Sequence, residues 1–413
     1  MTSMGRQRRV IIAGGSVGGL FLGNLLVRSG WQVDIFERAS DVLLERGAGI
    51  AGHPELDPIL ESILGADADL DRIEIEHRIA FDRTGCVVAR HTYPQYLVSW
   101  NVLFGRVHDV FPASFYHSGI EVLDVVQSER DATVSLSDGR KLSADLVVGA
   151  DGVRSRLRAT LAPEVVPRYA QYVAWRGILD DVSRLDPEMV GYFSFCFPQG
   201  GQFIGYPLLG RTEQGGRRRY NFLWYYRVPE GPDFDDLLTD ADGRRHEYAI
   251  PPPSIRLAHI DAFRKTAQAR LPRQFSNAVM CADRIMLQPI YDVQSKQIAF
   301  GRVALIGDAA FVARPHVGIG VLKAAQDAIS MAQCLHRQKS IADALRCYES
   351  ERFRPGLDAV QFGRHLGAFI ERGLDAPTSD PELGLTYDFI LRESARLPHG
   401  TPSRAGRSPN LVH

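Results

Sequence analysis

The chain has 413 residues, 45% of them hydrophobic and 23% charged, with a formal net charge of −1. A chain this long calls for roughly two to three domains, and its balanced charge excludes nucleic acid or an anionic membrane as a bulk partner. The five cysteines, Cys86, Cys196, Cys281, Cys334 and Cys347, are scattered and never spaced as CxxC, which argues against a disulfide framework or a metal site and for a reducing compartment.

In chain order, Arg9 to Ala13 is a short β-branched run that fits a buried parallel strand. A turn with Gly14, Gly15, Ser16, Gly18 and Gly19 follows, then a helix over Leu20 to Arg28 closed by Ser29 and Gly30. Gln32 to Phe36 is a second strand, ending at Glu37. This β-turn-α-β unit is the element from which parallel sheets are built. Residues 10 to 27 carry no charge and follow Arg6, Arg8 and Arg9, as a membrane anchor would. The glycine cluster weakens that reading, since each glycine in a helix costs about 1 kcal/mol relative to Ala. A soluble, cytoplasmic protein without a membrane partner is expected.

Strand-like runs occupy residues 78–90 and 120–148, with a hairpin turning at Asp138-Gly139 and a buried strand at Leu146 to Val148. Residues 170 to about 290 are rich in aromatics and strand formers, interrupted by a Pro-, Gly- and Asp-rich stretch at 228–256 that reads as loop. Arg302 to Ile306 is again a short apolar strand, followed by Gly307-Asp308 and a helix over Val321 to His336. From Leu374 onward the composition suggests a poorly ordered end.

Three motifs carry chemistry. In the first, Gly14 permits a tight turn, Ser16 lets the backbone approach a pyrophosphate at the helix N-terminus, and Gly19 lets helix and strand pack closely. Glu37 is suited to hold a ribose. In the second, a strand runs into Asp151-Gly152 and a cationic helix start. In the third, Asp308 ends a strand where a carboxylate accepts a sugar hydroxyl, and Pro315-His316-Val317-Gly318-Ile319-Gly320 offers backbone N–H groups and a helix N-terminus to a flat ring.

In this order and spacing the motifs resemble the three fingerprints of the class A flavoprotein monooxygenases, over roughly residues 8 to 365. The resemblance implies an α/β fold, with a Rossmann-like FAD-binding domain, an inserted mixed β-sheet substrate domain and C-terminal helices. It implies FAD-binding segments at 1–75, 111–170 and 296–373, inserted strands and a linking helix at 76–110, a substrate sheet at 171–295 and a tail at 374–413. Gly14, Gly15, Ser16, Gly19, Glu37 and Arg38 are then expected at the pyrophosphate and adenosine. Asp151, Gly152 and Asp308 are expected along the cofactor, and Pro315, Gly318, Ile319 and Gly320 at the flavin ring. The family pattern departs at Phe311 (usually His), at Ile319 (usually Gln), and at Phe104, where an FAD-contacting Arg is usual and Arg106 is the nearest substitute.

The middle block, YVAWRGIL at 172–179 and YNFLWYYRVPEG at 220–231, resembles the branch of the family that acts on hydroxylated pyridines. The implied reaction is hydroxylation of a small, electron-rich aromatic substrate with NADH or NADPH and O2, through a flavin C4a-hydroperoxide. A homodimer is implied by the same resemblance. A flavin reductase or dehydrogenase of the same fold is the alternative. The base that polarises the ring hydroxyl is sought among His53, His316 and Tyr225. Alternation along 220–227 puts Tyr220, Phe222, Trp224 and Tyr226 on one face and Asn221, Leu223, Tyr225 and Arg227 on the other. Tyr225 and Tyr206 are candidate substrate contacts.

Overall fold

Why the first 37 residues form a β-α-β unit is visible in their burial. Every residue of Val10–Ala13 is buried, because the strand is covered on both faces. The computed structural model describes residues 7–40, 49–65, 70–210 and 218–396.

The first half of the chain contributes β1 (Arg9–Ala13), α1 (Val17–Arg28), β2 (Gln32–Glu37), β3 (Gly49–Ala51), β4 (Arg72–Phe81) and β5 (Val87–Ser99). Helix α2 (Trp100–Asp109) then leads to β6 (Tyr116–Ser118), β7 (Val122–Gln127), β8 (Ala132–Leu136), β9 (Lys141–Ala144) and β10 (Leu146–Gly149). The middle block contributes β11 (Arg168–Leu179), β12 (Phe193–Cys196), β13 (Gly201–Leu209), β14 (Arg218–Arg227), α3 (Leu257–Arg270), α4 (Arg273–Met280) and β15 (Arg284–Gln294). The chain continues through β16 (Ala299–Phe300), β17 (Val303–Leu305), β18 (Phe311–Val312), α5 (Gly320–Arg337), α6 (Ile341–Leu366) and α7 (Tyr387–Glu393).

Two large sheets result. The first has the order β16-β17-β10-β1-β2-β6. In it β1 runs parallel to β10 and β2, and β17 parallel to β10, as crossover connections require. The second has nine strands in the order β18-β15-β11-β14-β13-β12-β4-β5-β3 and is mixed, β12 and β4 being parallel. A small antiparallel sheet, β7-β8-β9, holds the Asp-Gly hairpin.

The nine-stranded sheet has two distinct faces. Tyr220, Phe222 and Trp224 of β14 join a core with Phe263 of α3 and Phe275 of α4. Leu223 and Tyr225 join a second core with Tyr172, Ile204, Tyr206, Val317 and Ile319. The alternation expected along 220–227 therefore holds, and its odd-numbered face is the one packed on the Pro315–Gly320 segment.

Two sequence expectations change. The stretch 228–256 is not wholly loop, since Pro232–Leu237 is helical and Phe234 anchors it in the first of those cores. The end from Leu374 is ordered through residue 396: Ile390 and Leu391 of α7 are buried, and the fully buried Arg78 donates to the Leu391 carbonyl (2.7 Å) and the Ser394 carbonyl. Composition misled because a few apolar side chains and one buried guanidinium are enough to dock a polar segment. The remainder of the expected tail, 397–413, lies outside the described residues.

Candidate active site

The glycine turn is bound into the sheet by its own geometry. Gly14 has φ +105°, and a Cβ there would lie 2.3 Å from the Ala150 carbonyl oxygen; a Cβ on Gly19 would lie 2.0 Å from the Gly14 oxygen. Only glycine fits either place. The Gly15 N–H donates to Glu37 Oε2 (2.8 Å), and the Ala39 N–H donates to Oε1 (2.9 Å). Glu37 thus clamps the turn to the end of β2, while Tyr116 donates its hydroxyl to the Gly15 carbonyl (2.9 Å). Ser16 is the N-cap of α1 without a side-chain capping bond.

Gly14, Ser16, Glu37, Arg38, Asp151 and Gly152 line a cleft of about 210 Å³, whereas Gly15 and Gly19 are not among its lining residues. The cleft thereby gathers side chains from three separate parts of the chain. Trp100 and Glu121 line it too. Reading the motifs missed both, because nothing in their local sequence marks a wall formed from a helix start and a strand edge. Arg106 is on the exposed side of α2 and is not among the lining residues, whereas Phe104 is fully buried.

Asp151 Oδ2 accepts from the Arg156 N–H (2.8 Å), but Oδ1 is buried with no hydrogen-bond partner. Burial raises its carboxyl above the ordinary carboxylate range. Gly152, at φ +76°, makes the turn beside it. Asp308 is exposed to solvent, yet protein encloses it closely enough that desolvation raises its carboxyl as well, Lys323 opposing.

The Pro315–Gly320 segment lies against the odd-numbered face of β14. Gly318 has φ +60°, and a Cβ there would meet Ala395 at 2.6 Å, so the chain end seats directly on this segment. His53 Nε2 meets the Gly318 carbonyl at 3.1 Å, and burial lowers the ring below its ordinary value. Tyr206 donates to the Gly49 carbonyl (2.9 Å), and its hydroxyl is pushed up to about 12 by burial.

His316 is enclosed by Tyr172, Gln202 and Tyr225. Its Nδ1 is 3.0 Å from Gln202 Oε1 and its Nε2 is 2.8 Å from the Tyr172 hydroxyl. With an amide oxygen at Nδ1, that nitrogen carries the proton and Nε2 accepts from Tyr172. The Tyr225 and His316 rings are 4.2 Å apart, centre to centre. Burial and the neighbouring Arg314 lower His316 to about 3, and burial raises the Tyr172 and Tyr225 hydroxyls. On the same sheet face, both polar atoms of the Asn221 carboxamide and Nε2 of Gln202 are buried without partners. Tyr172, Gln202 and Asn221 were not singled out from sequence. The odd-even alternation that marked Tyr225 also marks Asn221, but nothing local marks the other two.

A larger cavity, about 580 Å³, is lined by Trp175, Trp224 and Phe263. It opens on the other face, and the sheet separates it from the Pro315–Gly320 segment, so it is not where the motifs converge. Among the described residues, no helix is long and apolar enough to cross a membrane.

Comparison with known proteins agrees with this geometry. A family described as FAD binding domain-like matches residues 169–292. A 2,6-dihydroxypyridine 3-monooxygenase of Paenarthrobacter nicotinovorans is 31% identical over 88% of this chain and 92% of its own. The solved structure of 2,6-dihydroxypyridine-3-hydroxylase from Arthrobacter nicotinovorans is 28% identical, with a TM-score of 0.83 over 91% of this chain and 96% of that one. Klebsiella pneumoniae HpxO, solved with FAD and uric acid, shares the fold at 21% identity, with a TM-score of 0.74 over 94% of each chain. The relatives favour the monooxygenase over the reductase reading, and the chain belongs to the class A FAD-dependent aromatic monooxygenases.

Proposed function

We propose that this FAD-dependent monooxygenase uses NADH or NADPH and O2 to hydroxylate a small, hydroxylated nitrogen ring, a hydroxypyridine in its pyridone form. The observation that carries this reading is Asn221, whose Nδ2 and Oδ1 are both buried and unpartnered on the face that also holds Tyr206 and Tyr225. Leaving such groups unmade costs about 1–3 kcal/mol each, and the adjoining N–H and C=O of a pyridone edge match a carboxamide. The relative that is 31% identical is named for a dihydroxypyridine.

The residues present fit FAD. Asp151 Oδ1 is an orphaned acceptor in the cleft, and the Gly14–Gly19 turn presents a helix N-terminus to the pyrophosphate. We assign Gly14, Gly15, Ser16, Gly19, Glu37, Arg38, Asp151 and Gly152 to its adenosine and pyrophosphate half. Asp308 is assigned to the ribityl chain, and Pro315, Gly318, Ile319 and Gly320 to the ring. Arg106, exposed on α2, is retained only as an outer contact. When bound, FAD supplies hydride acceptance from the nicotinamide and the activation of O2.

The protein's own part is to orient the ring, exclude water and hold protons. Neutral His316 holds its proton on Nδ1 and receives the Tyr172 hydroxyl at Nε2, which makes it a relay and not a strong base. His53, tied to Gly318, orders the ring segment. Tyr206 and Tyr225 contact the substrate. The chain divides as set out from the sequence, except that β3 and the start of β4, within 1–75, pair in the nine-stranded sheet. Five cysteines that are all free support a cytoplasmic location, and a homodimer follows from the resemblance alone.

The test is oxidation of NADH and NADPH with O2 uptake across hydroxypyridines and matched phenols, with products weighed for one added oxygen. Asn221→Leu should raise KM for the pyridine substrate about tenfold or more, the equivalent of 1.4 kcal/mol, with less effect on a phenol. An equal effect on both removes Asn221 from recognition. Reduction of another acceptor without oxygen insertion sinks the proposed reaction.

A further inference from the structure

Helices α5 and α6 form an antiparallel hairpin joined by a short turn. Cys334 stands in the last turn of α5 and Cys347 in the second turn of α6, with their sulfurs 2.9 Å apart. Cys334 is buried and Cys347 half-buried. Arg337 spans the pair: its Nη2 is 3.2 Å from Cys334 Sγ, 3.7 Å from Cys347 Sγ and 2.7 Å from Glu351 Oε1. Burial and the Cys347 hydrogen bond push the Cys334 thiol up to about 12, with the guanidinium opposing.

We propose that Cys334 and Cys347 form a reversible dithiol–disulfide pair, with hydrogen peroxide as the oxidant. The sulfurs need to approach by only about 0.9 Å to reach the 2.05 Å of a disulfide. The more accessible Cys347 reacts first. Its sulfur attacks one peroxide oxygen, an S–O bond forms, the O–O bond breaks, and the departing hydroxide leaves as water with the thiol proton. Cys334 sulfur then attacks Cys347 sulfur, the S–S bond forms, and the S–OH group leaves as a second water with the Cys334 proton. Two thiols lose two electrons and two protons, and one peroxide becomes two waters.

The same pair with Glu351 places three donor atoms within 4.8 Å of one another, a set a soft cation accepts. The guanidinium of Arg337 already contacts all three, and a cation would have to expel it. The bond matters because α5 begins at the ring segment. Asp327 of α5 accepts from the Gly307 N–H (2.9 Å) and from Arg352 of α6 (2.7 Å). A covalent tie between the two helices therefore braces the hairpin that carries the cofactor loop.

The test is a tryptic map of the full FAD-loaded protein, without reduction, before and after hydrogen peroxide. Trypsin cuts after Arg337, Lys339 and Arg346, so the two cysteines fall on separate peptides. The expected result is one linked pair of these peptides, loss of both thiols together, and recovery of both with dithiothreitol. Cys347→Ser should leave Cys334 a free thiol with no linked peptide. Oxidation of the two cysteines independently, or of exposed Cys86 while both remain thiols, would overturn the proposal. So would one equivalent of zinc in the purified protein, released by a thiol reagent.

Discussion

At the scale of single residues, the cofactor turn tolerates almost nothing. Gly14 combines φ +105° with a backbone oxygen where a Cβ would go. Gly14→Ala is expected to destabilise the protein by about 2–4 kcal/mol and to yield a colourless protein, checked by urea unfolding and by flavin absorbance after purification. His316 gives a pH signature. Its ring titrates near 6.5 when unfolded and near 3 when folded, so below 6.5 the unfolded chain binds a proton that the folded one refuses. This contribution is whole above pH 6.5 and is lost as pH falls from 6.5 towards 3, by up to about 1.4 kcal/mol per pH unit. His316→Gln should flatten that part of the curve of melting temperature against pH; an unchanged slope would mean that another group is responsible.

At the scale of elements, the ring segment is held from below by β15. Asp292, fully buried, accepts from Arg314 Nε (3.0 Å) and from Arg364 Nη2 of α6 (2.6 Å), and Arg314 also pairs with Glu371 (2.7 Å). Arg314 directly precedes Pro315, so this cluster sets where the ring segment begins. Asp292→Asn removes the buried carboxylate, leaving Arg314 only the partly exposed Glu371, and should cost about 3–5 kcal/mol, measured by denaturant unfolding. Asp292→Leu with Arg314→Met should recover much of that loss. Sequence marked the segment from Pro315 but not Arg314, whose partners come from 22 residues upstream and 57 downstream, beyond any local pattern. The chain end shows the same limit. Its helix α7 is docked by Arg78 and by the close approach of Ala395 to Gly318, neither of which composition records.

For the whole molecule, the parallel sheet presents the glycine turn and the nine-stranded sheet presents the aromatic face, with the Pro315–Gly320 segment between them. A ligand that bridges parts so distant in sequence should stabilise the entire fold. Removing FAD is expected to lower the melting temperature, and FAD at a hundred times its dissociation constant should restore about 2.7 kcal/mol. A melting temperature indifferent to added FAD would contradict this arrangement.

The sequence by itself determined the β-α-β start, the three motifs, the two-faced character of 220–227 and the family to which they belong. Each of these is written in a local period or in a residue type with no substitute, such as glycine at a positive φ. Tertiary structure alone decided that Glu37 clamps Gly15, that His316 lies between Tyr172 and Gln202 and is held neutral, that strands from residues 49–99 complete the middle sheet, and that two cysteines thirteen positions apart meet. The reason is physical: burial, desolvation and long-range hydrogen bonds depend on which elements pack together, and no local pattern carries that information.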